Sequence, residues 1–167
     1  MALKDGFTAE EWERLAGAPQ AVGTAMMLAS FSGLGGTAQE ALSLGKTLAV
    51  GAAGANELIR EICAPEEGPA AQVALRERVK ELDARNLNAE LANLAMGRAK
   101  QAVDALKERS PDNVEPYKQW LMRLAFDVAN ASKEGDFLGI GGKRISDAER
   151  QMLETLSQVL AVPVPTS

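Results

Sequence analysis

The segment FTAEEWERLAGAPQAVGTAMMLAS, residues 7–30, decides what kind of fold this chain adopts. Thr8 and Glu11 stand at the spacing of a capping box, and Phe7 and Trp12 occupy the positions of a hydrophobic staple. A helix therefore starts near Ala9. Gly17 followed by Pro19 predicts that it ends near Gly17 and that a second helix runs from about 19 to 31. Residues 15–39 carry no charge, so this second helix is expected at the centre of the protein. The same stretch holds Pro19, Gln20, Thr24, Ser30, Ser32 and several glycines, and never reaches the roughly 18 apolar residues of a membrane span.

Composition agrees with a helical reading. Of 167 residues, 46% are hydrophobic but only 4% are aromatic, so the core must be built from Ala, Leu, Val and Met. Such side chains favour helix over strand, and the length suits one domain. A net charge of −5 argues against a general affinity for nucleic acid or anionic lipid. The chain has no histidine. That removes Ser-His-Asp and Cys-His catalysis, His-bearing zinc sites and the usual general base near neutral pH. The single cysteine, Cys63, excludes an intrachain disulfide and is expected as a small buried residue on a helix. The first residues, MALKDGFTAEEW, lack the cationic-then-apolar plan of a signal peptide, which gives the expectation of a cytoplasmic protein.

Further along, SGLGG (32–36) breaks the chain, and Thr37 with Glu40 forms a second capping box opening a helix of about 38–50. ANELIREICA is another helix, and PEEGP (65–69) a turn. A run rich in Ala, Leu, Glu, Lys and Arg spans about 70–109, with a bend or break near 86–88. After SPDN (110–113), a helix of about 114–133 places Tyr117, Leu121, Leu124, Val128 and Ala131 on one stripe. Ser146 and Glu149 make a third capping box before a last helix with Leu153, Leu156, Val159 and Leu160 facing inward. No run alternates apolar and polar residues. The expectation is an all-α, single-domain bundle of about seven or eight helices over residues 1–162, with a frayed tail at 163–167. A weak internal repeat relates 25–49 to 129–161, each with a helix, a glycine turn, a capping box and a Leu-rich helix. It suggests two pseudo-repeated helical hairpins.

The stretch GDFLGIGGKRISDAE, residues 135–149, is the richest in apparent motif. It fails as a phosphate loop, because Gly142-Lys143 is followed by Arg144 and the residue five before Gly142 is Phe137. It fails as a dinucleotide fingerprint, because its third glycine is misplaced and no strand precedes it. An EF-hand also fails: counted from Glu134, position five is Leu138 and position twelve is Ile145. What remains is a helix-to-helix turn with carboxylates around it. Asp136 lies in the loop, Glu149 in the first turn of the last helix and Asp127 on the preceding helix at the edge of the buried stripe. Asp127, Asp136 and Glu149 are the candidate ligands of a divalent cation. Their ordinary roles are an Arg123 pair at i−4 for Asp127, helix capping for Glu149 and solvation for Asp136.

The order helix, acidic loop, Ile145-Ser146-x-x-Glu149, helix resembles the repeat of TerB-like, tellurite-resistance-type bacterial domains. Asp136 would match the family's loop acid, Glu149 its helix acid and Ile145 its apolar plug. The resemblance implies a two-repeat helical domain and a divalent cation held by carboxylates. The last third is also similar to short bacterial proteins of unassigned function that share an F-L-G-x-G-G-x-x-[I/V]-S-x-x-E segment.

Two function classes follow. The first is a non-catalytic protein, stress-related or of scaffold type, acting through helix faces as a homodimer or with a protein partner. The second is a carboxylate-only divalent-cation binding protein, or a metal-dependent enzyme, using the 134–149 loop. Trp12 and Trp120 are both expected in the core.

Overall fold

The computed structural model describes residues 3–29, 44–131 and 145–166. They form seven α-helices and three short 3-10 turns, with no strand among the described residues. The helices are α1 (Ala9–Ala29), α2 (residues 44–52), α3 (Glu57–Ile62), α4 (Glu67–Lys80), α5 (Leu87–Arg109), α6 (Val114–Ala131) and α7 (Asp147–Leu160). The all-α bundle expected from composition and punctuation is the observed architecture.

At the start of α1 the capping box is complete. The Thr8 N–H donates to Glu11 Oε2 at 2.7 Å, and the Glu11 N–H donates to Thr8 Oγ1 at 3.2 Å. Phe7 and Trp12 meet with ring centroids 5.9 Å apart. The break expected at Gly17 and Pro19 does not occur: α1 is one helix of 21 residues with Pro19 inside it. Proline has no N–H to give the carbonyl of Leu15, and its ring crowds that carbonyl. The Tyr117 hydroxyl, on α6, donates to Leu15 O at 3.0 Å instead. Both residues are fully buried. A hydrogen bond from another helix thus replaces the one proline removes, and packing carries the helix through.

From Leu15 to Gly23 every residue of α1 is buried, as the absence of charge there requires. α1 packs most extensively on α5 and also touches α4, α6 and α7. Glycines set how closely neighbours approach. A Cβ on Gly23 would lie 2.6 Å from Leu44 Cδ1 of α2, and one on Gly17 would lie 2.3 Å from Arg98 Nη1 of α5. α5 turns Leu91, Ala95, Ala99, Ala102 and Leu106 into the core, while its opposite face carries exposed pairs such as Lys100–Asp104.

The long charged run breaks slightly earlier than its asparagines suggest. α4 ends at Lys80, and a 3-10 turn over Ala84–Asn86, capped by Asp83 Oδ1 on the Arg85 N–H at 2.9 Å, leads into α5. PEEGP is only half a turn, because α4 begins within it at Glu67. The α6 stripe is buried at Tyr117, Leu121, Leu124 and Val128, and α7 buries Leu153, Leu156 and Leu160. Ala131 and Val159 are half-buried. Beyond α7, Val162 is buried and Val164 packs on the core. No helix among the described residues is long and apolar enough to cross a membrane. The 32–36 glycine turn, the Thr37–Glu40 capping box, the glycines and acids of 134–142, and with them the glycine turns of both copies of the proposed repeat, lie outside the described residues.

Candidate functional site

A groove forms where α2, the turn after it and α3 lean against α6. Its geometry begins with Gly51. A Cβ there would lie 2.8 Å from Cys63 Sγ, 3.2 Å from Ile59 Cγ2 and 3.2 Å from Trp120 Nε1. Only a residue without a side chain lets α2 come this close to α3 and α6. Past Gly51 the backbone turns, with the Gly54 N–H donating to Gly51 O at 3.1 Å. Arg60 Nη1 reaches back to the carbonyls of Gly54 at 3.2 Å and Ala55 at 3.1 Å.

Asn56 locks this turn in place. Its Oδ1 accepts from the Ile59 N–H at 2.9 Å and caps α3, while its Nδ2 donates to Asn113 Oδ1 at 2.9 Å. Asn113 Nδ2 in turn donates to Ser110 Oγ at 2.8 Å. The chain of amides ties the α2–α3 turn to the turn that starts α6, so both sides of the groove are positioned by one network.

The resulting cavity has a volume of about 930 Å³, at the upper end of the range typical of small-molecule sites. α2 contributes Lys46, Thr47 and Val50, α3 contributes Ile59, and α6 contributes Trp120, Arg123, Asp127 and Asn130. Val50 is 64% exposed, an apolar side chain left uncovered at the edge of this groove. Arg123 Nε meets Asp127 Oδ1 at 2.8 Å, the i−4 pairing read from the sequence. Lys46 makes no ion pair among the described residues.

Beneath the groove sit the polar groups of the interior. The Trp120 ring lies 5.9 Å from that of Tyr117, and its buried Nε1–H has no hydrogen-bond partner among the described residues. Cys63 is half-buried at the C-cap of α3 rather than within the helix. Burial pushes its thiol up to about 12. Burial, and then the nearby Cys63, push the Tyr117 hydroxyl well above its ordinary value. Both groups are held protonated at neutral pH, the opposite of what an activated nucleophile or general base needs.

The proposed metal ligands fare differently from one another. Asp127 lies on α6 and lines the groove. Glu149 caps α7: its Oε2 accepts from the Ser146 N–H at 2.6 Å, and Ser146 Oγ accepts from the Glu149 N–H at 3.2 Å. Glu149 is only 2% exposed, and its Oε1 has no partner among the described residues. Asp136 lies outside the described residues. Among the described residues no group of three or more His, Cys, Asp or Glu side chains converges as a metal site would require.

Sequence reading placed Trp120 in the core; it is half-buried, packed against the core with one side lining the groove, a position that reading missed. One signal was present. Trp120, Arg123, Asp127 and Asn130 fall at i, i+3, i+7 and i+10, a second stripe beside the apolar one on α6. That spacing marks a shared face, but nothing local says that α2 approaches it. No family model, curated protein or solved structure matches the chain.

Proposed function

We propose that this chain is a non-catalytic binding domain of the cytoplasm and that the groove between α2 and α6 is its working surface. The observation carrying this reading is the groove itself: about 930 Å³, with apolar Val50, Ile59 and Trp120 beside a few charged and amide side chains. That mixture suits recognition. The protonated state of Cys63 and Tyr117 supports binding over covalent chemistry, and a free thiol suits a reducing compartment. The test is a thermal-unfolding screen of uncharged fragments on the wild type and on Ala131→Trp, whose indole would fill the groove. Fragments that raise Tm only in the wild type support the reading. Equal shifts in both proteins, or none in either, refute it.

A second reading, a divalent cation held by carboxylates as the TerB-like resemblance implies, has one observation in its favour. Glu149 Oε1 is a buried carboxylate oxygen without a partner among the described residues, a costly arrangement for a charged group. Metal-stripped protein would be melted with and without Ca²⁺, Mg²⁺ or Mn²⁺. A ligand at 100 times its dissociation constant adds about 2.7 kcal/mol. A shift that disappears in Glu149→Gln supports a cation, and no shift with any of the three excludes it.

A further inference from the structure

We infer that the groove takes a small organic carboxylate with an apolar, ring-bearing body. This inference rests on the groove being the binding surface. The chain as a whole carries a net charge of −5, yet among the described residues the groove presents two cations, Lys46 and Arg123, against the one carboxylate of Asp127. Asp127 is engaged by Arg123 Nε at 2.8 Å, which leaves the end-on edge of the guanidinium, Nη1 and Nη2, without a bond among the described residues. That edge is the planar two-donor fork that matches a carboxylate. Lys46, on the α2 side, adds a second cation that no ion pair offsets among the described residues. Among the described residues the groove therefore offers Lys46 without an ion pair and Arg123 Nη1 and Nη2 without a hydrogen bond, the guanidinium also lying 5.8 Å from the Phe126 ring centroid, in a protein whose overall field repels anions.

The rest of the lining selects the body of the ligand. Val50, Ile59 and Trp120 offer aliphatic and indole surface, and an aromatic ring against an indole gains about 0.5–1.5 kcal/mol beyond its area. A free inorganic phosphate would use the cations and leave that surface wet. The occupant thus needs both parts, a carboxylate for the cations and a ring or branched chain for the apolar lining.

The experiment titrates the full-length chain by calorimetry with 4-phenylbutyrate, its uncharged amide and inorganic phosphate. Phenylbutyrate is expected to bind at least tenfold more tightly than the amide, and more tightly than phosphate. Arg123→Gln and Lys46→Gln should each weaken the acid about five- to tenfold and leave the amide unchanged. Both side chains are exposed, and an unchanged circular-dichroism melt confirms that the variants fold. Equal affinity for acid and amide overturns the carboxylate inference but leaves the groove as a binding surface. Phosphate binding as tightly as phenylbutyrate overturns the apolar body. Acid binding that ignores both substitutions places the site elsewhere and overturns the inference. If neither acid nor amide binds, the inference falls and the groove reading falls with it.

Discussion

Replacing Tyr117 by phenylalanine removes one oxygen atom and tests how α1 survives its proline. The hydroxyl donates to Leu15 O at 3.0 Å, both residues are fully buried, and position 19, which would supply the normal helical N–H, is proline. In Tyr117→Phe the Leu15 carbonyl loses its donor in a dry interior. Leaving such a group unsatisfied costs about 1–3 kcal/mol, more than the net value of about 0.5–1.5 kcal/mol for an ordinary hydrogen bond. In Pro19→Ala the carbonyl regains a backbone N–H, so the second loss should shrink by about 1 kcal/mol or more. The assay is urea unfolding of all four proteins of the cycle, with the denaturant slope unchanged because phenylalanine preserves the packing. For a chain of 167 residues each kcal/mol also moves Tm by about 2–4 °C. Tyr117→Phe costing under about 0.5 kcal/mol, or costing the same with and without Pro19, would refute the reasoning.

Other outcomes follow from single contacts. Gly51→Ala gains helix propensity but forces a Cβ to within 2.8 Å of Cys63 Sγ and 3.2 Å of Trp120 Nε1; overpacking of about 1–3 kcal/mol should prevail, seen as a lower urea midpoint. Gly97→Ala is the contrast, since nothing lies within 4 Å of its Cβ position on α5, and it should stabilise by about 0.5–1 kcal/mol in the same assay. Ala161 closes α7 in the left-handed region at φ 52°, so Ala161→Gly should raise stability by about 1 kcal/mol, read as an upward shift in Tm. Cys63 and Tyr117 have folded-state values raised by burial above their ordinary 9.0 and 10.0. Their contribution to stability is therefore complete below about pH 9 and is lost as pH rises, first as the unfolded thiol ionises and then, above 10, as the unfolded phenol does. Unfolding midpoints measured from pH 8 to 11 should fall across that window, and Cys63→Ser should flatten the portion nearest pH 9.

Much of the fold was legible because helix ends are local events. The capping boxes at Thr8–Glu11 and Ser146–Glu149 form with the pairings their spacing implies, since a side chain three residues away reaches the free N–H groups of its own first turn. The buried stripe of α6 and the charge-free centre of α1 were likewise written in periodicity and composition. Asp127 pairs with Arg123 for the same reason, one helical turn separating them.

What the chain order could not express is contact between distant segments. By local rules Pro19 ends a helix; Tyr117, 98 positions later, overrides them by supplying the hydrogen bond that proline lacks. Trp120 read as a core aromatic and Arg123 as the helical partner of Asp127 until α2, drawn close at Gly51, made a groove of the face they share. Caps and amphipathic stripes depend on neighbours within a turn, so the amino-acid sequence determines them directly. A groove depends on which helices meet, and that is settled only when all of them compete for the same core.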